Sequence, residues 1–318
     1  MGRNAEPADG RGAPHLGRRA SAPRARAAGP DPREAARGAR AEARVIHPAA
    51  HVDPRARLAP DVQVGPGTVI GPDVEIGEET EIGAHAVLEG RVRVGARCRI
   101  GHGAVLGAPP QDLKFRPGIP VGVVIGDDTV IREYVTIHRA THEGHDTRIG
   151  SHCLLMATAH VAHDCLIGDH VIIINGAGIT GHVTVEDRAT VGGLSGIHPF
   201  TRVGTFAYIG GCSKVTQDVP PFVMVDGIPA TARAVNVVGM RRGGLDAAAR
   251  RQAQEAFRVL YRSGLAPGAA AARLKAELGD HPLVARLLEF IEQSRRGIVP
   301  GAVRSGAHGD AGEQEEAQ

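Results

Sequence analysis

Aliphatic residues recur at every sixth position through most of this chain, and this period constrains the fold more than any other feature. A period of six matches neither an amphipathic helix nor an alternating strand, and it is typical of a solenoid built from hexapeptide units. The row is interrupted twice and otherwise consists of Ile46, Val52, Leu58, Val64, Ile70, Ile76, Ile82, Leu88, Val94, Ile100, Leu106, Ile125, Ile131, Ile137, Ile149, Leu155, Val161, Ile167, Ile173, Ile179, Val185, Val191, Ile197, Val203, Ile209 and Val215.

The other places of the six-residue unit are ordered too. Glycine often follows the aliphatic residue, and a small residue such as Ala86 or Ala159 often comes four places after it. Two inward places per unit, separated by a corner, describe one side of a triangular prism, so three consecutive units make one coil. Coils would stack at about 4.8 Å, the spacing of parallel strands. Cys98, Cys153 and Cys165 occupy the small inward place, which favours core packing over a metal or redox role.

The composition favours a narrow interior. Aromatic residues make up only 3% of the chain, Trp is absent and Gly is abundant. Since cores normally gain much of their buried area from aromatic side chains, a prism filled by small aliphatic groups fits better than a wide sandwich or barrel. The net charge of +2 gives no reason to expect nucleic acid.

Cysteine usage and hydropathy predict a cytoplasmic protein. The four cysteines lack paired spacing, which indicates reduced thiols. No apolar run approaches the ~20 residues that span a bilayer, and the first residues lack the apolar core of a secretion signal.

The prism is predicted over residues 44–236, with insertions at 107–124 and 138–148. The first insertion shifts the phase of the period by one residue and the second preserves it. Loops that project from a rigid solenoid often carry function. We therefore expect both insertions to lie near a functional site.

The ends of the chain depart from the period. Residues 1–43 are rich in Arg, Ala, Pro and Gly and are predicted to be disordered, although a transit peptide or a start codon placed too far upstream would look the same. Residues 237–300 are predicted to form a small helical domain, and residues 301–318 a disordered tail. Within the helical domain, helices are expected at 245–263, 269–279 and 282–295.

Histidines concentrate at one corner of the predicted prism. With three units per coil, His163, His182 and His198 fall on adjacent columns of successive coils, and His160 lies three residues before His163. A single corner histidine is most simply a solvated side chain. As a set, these imidazoles predict a polar groove.

His163 is followed directly by Asp164, and Gly181 should stack one coil above it. A carboxylate near an imidazole orients the ring and raises its basicity, which suits a general base. A glycine lets a backbone N–H approach a ligand closely, as an oxyanion donor must, although Gly181 could equally serve only to turn the corner.

Closely spaced histidines are also typical of metal sites. The pairs His142 with His145 and His160 with His163 have such spacing, but the sequence shows no further ligand that completes a recognisable set. The sequence therefore predicts no catalytic metal.

Several strings resemble the UDP-N-acetylglucosamine 3-O-acyltransferases. Residues 158–165 read TAHVAHDC and match the family motif NAHxAHDC except at its first place. Further matches are QDLK at 111–114, GGCS at 210–213 and QDVPP at 217–221. The resemblance covers about residues 44–298 and implies a left-handed parallel β-helix, an all-β fold with a small C-terminal α-helical domain. The period alone does not set the hand.

The resemblance implies transfer of a 3-hydroxyacyl group from acyl carrier protein to the 3-hydroxyl of UDP-N-acetylglucosamine, the first step of lipid A synthesis, without a cofactor. It implies that His163 removes the hydroxyl proton, that Asp164 supports it and that the Gly181 N–H stabilises the oxyanion. It also implies that Asp112 and Lys114 hold the sugar and the nucleotide.

The remaining implied roles belong to substrate contacts and assembly. The resemblance implies a homotrimer with clefts between subunits, in which His160, His182 and His198 line the cleft, Asn236 and Arg242 meet the nucleotide or the carrier arm, and Tyr208 and Gly211 lie near the end of the acyl groove. Departures from the family pattern occur at Thr158, Pro199 and Val238. They concern ligand contacts rather than the base.

Two alternatives remain open at this point. Within the enzyme class, the acceptor could be a 3-amino sugar nucleotide, giving an amide, or the chain could be the later N-acyltransferase of the same pathway, although residues 1–43 are not expected to form the N-terminal uridine-binding domain that this later enzyme normally carries. The chain could also be a hexapeptide scaffold that binds a partner without catalysis, but His163, Asp164 and Gly181 together argue against that.

Overall fold

The computed structural model describes residues 45–302. The predictions for residues 1–43 and for the tail beyond residue 302 lie outside the described residues. The described chain is a left-handed parallel β-helix, as expected, followed by four helices.

Most strands of the β-helix are two residues long, because each flat side of the prism is only one hexapeptide wide. In chain order they are β1 Val45–Ile46, β2 His51–Val52, β3 Arg57–Leu58, β4 Gln63–Val64, β5 Val69–Ile70, β6 Val74–Ile76, β7 Glu81–Ile82, β8 Val87–Leu88, β9 Arg91–Val94, β10 Arg99–Ile100, β11 Val105–Ala108, β12 Gly122–Ile125, β13 Val130–Ile131 and β14 Thr136–His138. The upper coils contain β15 Asp146–Ile149, β16 Leu154–Leu155, β17 His160–Val161, β18 Leu166–Ile167, β19 Ile172–Ile173, β20 Gly178–Ile179, β21 Thr184–Val185, β22 Thr190–Val191, β23 Gly196–Ile197, β24 Arg202–Val203, β25 Tyr208–Ile209, β26 Lys214–Val215, β27 Val223–Gly227 and β28 Ala230–Val235.

Every third strand joins the same parallel sheet. Sheet A contains β1 and every third strand to β25, followed by β27 and β28; sheet B runs from β2 to β26 and sheet C from β3 to β24. Val161 pairs with Ile179, and Ile179 pairs with Ile197, so adjacent coils are three hexapeptide units apart as predicted.

Both insertions emerge at the same place in the cross-section. Residues 109–121 connect β11 to β12, and residues 139–145 connect β14 to β15, so each leaves sheet B and returns to sheet C. Val94 pairs with Ile125, which shifts the phase by one residue, whereas Ile125 pairs with Ile149 and keeps the phase. Two enlarged turns therefore stack on one corner of the rod.

The interior is filled by the six-residue row. Ile137, Leu155, Ile173 and Ile179 are all fully buried, and burial of each contributes about 1.5–3 kcal/mol. Cys98, Cys153 and Cys165 are buried as well, in agreement with their interpretation as core residues.

The corners repeat a backbone conformation that most residues avoid. The third residue after each inward aliphatic often adopts a left-handed φ near 60°, as Asp164 and His182 do. Its N–H can bond back to the preceding coil, as His182 N does to His163 O at 3.1 Å. The ladder therefore holds these side chains in fixed positions at the surface.

Four helices follow: α1 Val237–Arg242, α2 Ala247–Arg262, α3 Pro267–Leu278 and α4 Pro282–Glu292. The last three lie where the sequence predicted helices, whereas α1 and the antiparallel pairing of β27 with β28 were not predicted. The helices pack around Ala256, Leu260 and Leu274. None of the helices between residues 45 and 302 is long and apolar enough to cross a membrane.

Candidate active site

The corner between sheets B and C carries a cavity of about 420 Å³. This B/C corner comprises residues 162–165, 180–183 and 198–201 together with the two insertions. The cavity is lined by Asp112, Lys114, Phe115, Thr141, His142, His163, Gly181, His182, Pro199 and Phe200. It therefore brings the two insertions and three successive coils to one place.

His163 and Asp164 form the innermost polar pair. His163 Nδ1 lies 2.8 Å from Asp164 Oδ2, and the two side chains are only 16% and 6% exposed. A carboxylate can only accept, so Nδ1 carries the proton and Nε2 of the neutral ring is left with its lone pair. The ring is thereby oriented with a basic nitrogen available.

Asp164 is kept ionised by its hydrogen bonds. Burial by itself raises the pKa of this carboxyl, but hydrogen bonds from Thr141 and His163 outweigh burial and hold the pKa below its usual range. Thr141 donates from its backbone N at 3.2 Å and from its hydroxyl at 2.6 Å. The second insertion therefore covers Asp164 and stabilises its charge at the same time.

Gly181 lies directly against the His163 ring. A Cβ built on Gly181 would lie 2.5 Å from Cε1 and 2.6 Å from Nε2 of His163, a separation that real Cβ atoms do not show. Only glycine lets the imidazole approach this backbone so closely. The predicted proximity of residues 163 and 181 is confirmed.

The Gly181 N–H donates no hydrogen bond within residues 45–302. At the corner between sheets C and A, some equivalent N–H groups are capped by a side chain from the next coil, as Ser151 N is by Asp169 and Asp169 N by Asp187. At Gly181 the matching residue of the next coil is Pro199, which has no acceptor on its side chain. The N–H is therefore free to bind a ligand oxygen.

His182 forms one wall of the cavity. Its ring stacks on Phe200 with a centroid distance of 4.5 Å and meets the His163 ring edge-on at 5.1 Å. Desolvation lowers the pKa of His182, partly opposed by the nearby Asp164. A neutral imidazole sandwiched in this way is a rigid hydrogen-bonding group.

Asp112 and Lys114 reach the cavity from the first insertion. Lys114 N donates to Asp112 Oδ1 at 2.9 Å, so the carboxylate closes a tight turn that also presents the lysine. Phe115 beside them lies 5.9 Å from the Arg139 guanidinium, which links this loop to the second insertion. The structure thus places an anionic and a cationic group at the mouth of the site.

His160 lies close to His163 but does not line this cavity. It projects from β17 on the outer face of sheet B, where its Nδ1 is 2.7 Å from Thr136 Oγ1 and its ring packs edge-on against His138. Desolvation and then the nearby His163 lower its pKa. His138 is 6% exposed, and burial lowers its pKa to about 4.

Five further residues assigned by resemblance lie outside the cavity of this single chain. His198 is exposed just after β23, with its Nδ1 3.1 Å from Pro199 O. Asn236 is buried because its side chain caps α1 and bonds Phe206 O at 2.9 Å, and Arg242 is exposed at the end of α1.

Tyr208 and Gly211 belong to a different corner, the A/B corner, where β25 turns toward β26. Sheet B separates them from His163 of the same chain. Their predicted place in an acyl groove is therefore not formed by one chain alone.

Sequence reasoning missed Thr141, Phe115 and Phe200, and it named His142 only as half of a closely spaced histidine pair. Thr141 and His142 lie in the second insertion, whose path the period does not describe. Phe200 follows the corner residue Pro199 and is 61% exposed. The signal available in the sequence was an aromatic residue at a corner place, three residues after Ile197, in a chain with so few aromatics.

Two groups of side chains have the spacing of metal ligands. His142, His145 and Asp164 form one, and His163, Asp164 and His182 the other, with ligand atoms within 4.8 Å of one another in each. Asp164 is thus the further ligand that spacing along the sequence did not reveal for His142 and His145.

The chain matches two family models. The model described as UDP N-acetylglucosamine O-acyltransferase, domain 2, matches residues 218–299, and the bacterial transferase hexapeptide model matches residues 73–108 and 146–181.

Curated relatives and solved structures point to the same family as the family models. An acyl-[acyl-carrier-protein]–UDP-N-acetylglucosamine O-acyltransferase from Gloeothece citriformis is 45% identical over 63% of this chain and 73% of its own length. LpxA from Acinetobacter baumannii is 42% identical with a TM-score of 0.76, over 80% of this chain and 99% of its own. A UDP-N-acetylglucosamine acyltransferase from Bacteroides fragilis is 35% identical with a TM-score of 0.78, over 80% of this chain and all of its own. With this identity and coverage, and with the hexapeptide rod that carries the site, the chain belongs to the UDP-N-acetylglucosamine O-acyltransferase family.

Proposed function

We propose that this protein transfers a 3-hydroxyacyl group from acyl carrier protein to the 3-hydroxyl of UDP-N-acetylglucosamine, the first step of lipid A synthesis, and that the cavity at the B/C corner is half of its active site. The observation that carries the site assignment is the contact of a carboxylate-oriented imidazole with a glycine whose N–H is unbonded within the described chain. His163 and Gly181 supply a base and an oxyanion donor within one coil spacing of each other.

In the proposed reaction, Nε2 of His163 accepts the proton of the sugar 3-hydroxyl as that oxygen attacks the thioester carbon. Asp164 stabilises the imidazolium that forms, since it already accepts the Nδ1 proton. The carbonyl oxygen becomes an oxyanion beside the Gly181 N–H. When the tetrahedral intermediate collapses, the carbon–sulfur bond breaks and the imidazolium returns the proton to the leaving thiolate, so no acyl-enzyme forms.

The two insertions provide the polar groups for the acceptor. Lys114 offers an ammonium for the negatively charged diphosphate, and Asp112 offers a carboxylate for sugar hydroxyls. His182, held between His163 and Phe200, adds a neutral imidazole at the same wall. These groups orient the sugar so that its 3-hydroxyl faces His163.

The complete site is proposed to lie between protomers of a homotrimer. His163 is on the B/C corner, whereas Tyr208 and Gly211 are on the A/B corner of the same chain. Contact between the B/C corner of one protomer and the A/B corner of its neighbour would join the two halves. In that arrangement His160, His198 and Arg242 can meet the substrates from around the cleft, while Asn236 holds the start of α1.

The acyl donor is proposed to approach the arginine-rich helices. Arg251, Arg258 and Arg262 lie on α2, which follows the basic end of α1. An acidic carrier protein would be steered by this surface, although solvated arginines on a helix give the same pattern. The unpaired thiols of Cys98, Cys153, Cys165 and Cys212 fit the proposed cytoplasmic location.

Product analysis tests the proposal. Purified protein is incubated with 3-hydroxyacyl carriers of several chain lengths and with either UDP-N-acetylglucosamine or its 3-amino analogue, and the products are identified by mass. An ester on the N-acetylglucosamine nucleotide is expected. Amide product alone would favour the amino-sugar acceptor, and no product from either sugar would favour the non-catalytic scaffold.

A further inference from the structure

Beside the cavity, two imidazoles of the second insertion lie over a carboxylate that already accepts a hydrogen bond from His163. His142 and His145 come from the second insertion and are exposed, whereas the side chain of Asp164 beneath them is almost fully buried. His142 Nδ1 lies 3.9 Å from Asp164 Oδ1, and ligand atoms of all three residues lie within 4.8 Å of one another. Neither the proposed base nor the proposed oxyanion donor belongs to this trio.

We propose that His142, His145 and Asp164 form a zinc site, and that zinc bound there inhibits acyl transfer. This inference rests on the proposed function, because its inhibitory effect requires His163 to be the base. Two nitrogen ligands and one carboxylate are a set that zinc accepts, whereas magnesium prefers oxygen ligands alone.

The geometry needs only a small contraction to hold the ion. Zinc bonds of about 2.0–2.2 Å in a tetrahedron place ligand atoms about 3.3–3.6 Å apart, so the trio must close by roughly 1 Å. His142 and His145 are exposed and their ring centroids are 6.2 Å apart, so both can rotate without disturbing the core. The turn between them is already fixed by His145 N donating to His142 O at 3.1 Å.

Inhibition follows from what Asp164 does without the ion. Its oxygens accept hydrogen bonds from Thr141 N, the Thr141 hydroxyl and His163 Nδ1. A zinc ion that draws on the same carboxylate weakens its bond to His163 and withdraws the negative charge that stabilises the imidazolium. The base then loses both its orientation and part of its basicity.

The second trio, His163, Asp164 and His182, is a weaker candidate. His182 is packed flat against Phe200, and His163 lies against the Gly181 backbone. Neither ring can turn toward an ion without losing those contacts. The exposed pair in the insertion is less constrained. His142 would exchange the 2.7 Å contact of its Nδ1 with Thr141 Oγ1 and a tilted contact with His182 at 5.9 Å, both at the surface, so the structure favours the first trio.

Titration with zinc alone tests the site. Binding of buffered Zn²⁺ to the purified full chain is measured by calorimetry, and acyl transfer is measured at the same free zinc concentrations. The wild type is expected to bind one ion with high affinity at this trio and to lose activity, which a chelator restores. His145→Ala removes a ligand that does not line the cavity, so it is expected to keep its zinc-free activity while zinc affinity and inhibition weaken by at least about 10-fold.

A matched control uses histidines at another corner. His152 lies between sheets C and A and stacks on His170 with a centroid distance of 4.8 Å, so His152→Ala is expected to leave zinc inhibition unchanged. The proposal is overturned if calorimetry finds no such site, if bound zinc leaves activity intact, or if His145→Ala responds to zinc as the wild type does. If the wild type shows no acyl transfer at all but binds zinc, and His145→Ala loses that binding, the zinc site stands and the proposed function is rejected.

Discussion

Two corners of the rod share one backbone geometry. They differ in whether the N–H of the second residue after an inward aliphatic is hydrogen-bonded to a side chain. At the C/A corner, where sheet C turns into sheet A, carboxylates of Asp127, Asp169 and Asp187 accept the N–H of the coil before them. At the B/C corner, Gly181 and Pro199 occupy the equivalent places and leave the Gly181 N–H unbonded within the described residues. The same coil therefore closes one corner for stability and opens another for chemistry.

In a repeat protein, a functional group can therefore arise where a stabilising side chain is missing as well as where a reactive side chain is present. At the closed corner, the N–H groups of Ala96, Ser151 and Asp169 donate to a carboxylate from the next coil. At the open corner the acceptor is missing, while an imidazole and two insertions have been added. The predictions that follow test whether changes at the open corner affect the rate of acyl transfer while changes at the closed corner affect only the free energy of unfolding.

Among the variants that keep His163, Gly181→Ala should have the largest effect. The new methyl group would lie 2.5 Å from His163 Cε1, so the ring must leave its position beside the N–H. We expect kcat/KM to fall by about 10²-fold, the order of an oxyanion-hole defect, while the circular dichroism spectrum stays that of the wild type. Wild-type kcat/KM in this variant would remove Gly181 from the site.

His138→Gln tests a buried histidine at the start of the second insertion. His138 Nδ1 has no hydrogen-bond partner among residues 45–302, and its pKa is lowered to about 4 by burial and then by the nearby His160 and His163. Above pH 6.5 the ring is neutral whether the chain is folded or not. Between pH 6.5 and 4 only the unfolded chain binds the proton, so stability falls as the pH falls.

We expect the wild type to lose about 2 kcal/mol of unfolding free energy through this group between pH 7 and pH 5. Denaturant unfolding at both pH values should show a smaller loss in His138→Gln. His85→Gln, at a corner position nearer the solvent, serves as the control and should behave as the wild type. Equal losses in all three proteins would contradict a neutral buried ring at position 138.

Pro199→Asp converts the open corner into a copy of the closed one. The new carboxylate should cap the Gly181 N–H as Asp169 caps Ser151 N. We expect kcat/KM to fall by about 10-fold, with no loss of stability, because one hydrogen bond is gained in the ground state and must be broken in the transition state. Pro199→Ala, which adds no acceptor, should retain activity; equal rates in the two variants would show that the cap does not form.

Asp169→Ala at the closed corner should have the smallest effect. It removes the acceptor of Ser151 N, at a cost below about 1 kcal/mol in the free energy of unfolding. Acyl transfer should be unchanged. A large loss of activity with normal folding would mean that the C/A corner also takes part in the reaction.

The sequence predicted the rod and the central pair of the site because coil lengths are additive. Once a coil consists of three six-residue units, position 181 must stack on position 163, whatever their side chains. The phase shift of the first insertion could also be read, because the aliphatic row resumes after it. Those features depend only on spacing along the chain.

The other features of the site depend on segments of the chain whose course the six-residue period does not determine. Thr141 and His142 reach Asp164 because the second insertion folds back over the corner, and nothing in the six-residue pattern fixes that path. Asn236 was assigned to a ligand, yet it caps α1, a helix that was not predicted. Tyr208 and Gly211 lie on another corner, so their assignment needs a second chain.

The most direct measurement of the central claim is the rate of acyl transfer by His163→Ala with and without added imidazole. If His163 is the base at the open corner, the variant should fold normally and lose roughly 10²–10⁴-fold in rate. Free imidazole should then restore part of the rate in His163→Ala but not in Gly181→Ala, where the ring is present and displaced. A His163→Ala variant that transfers acyl groups at the wild-type rate would contradict the account.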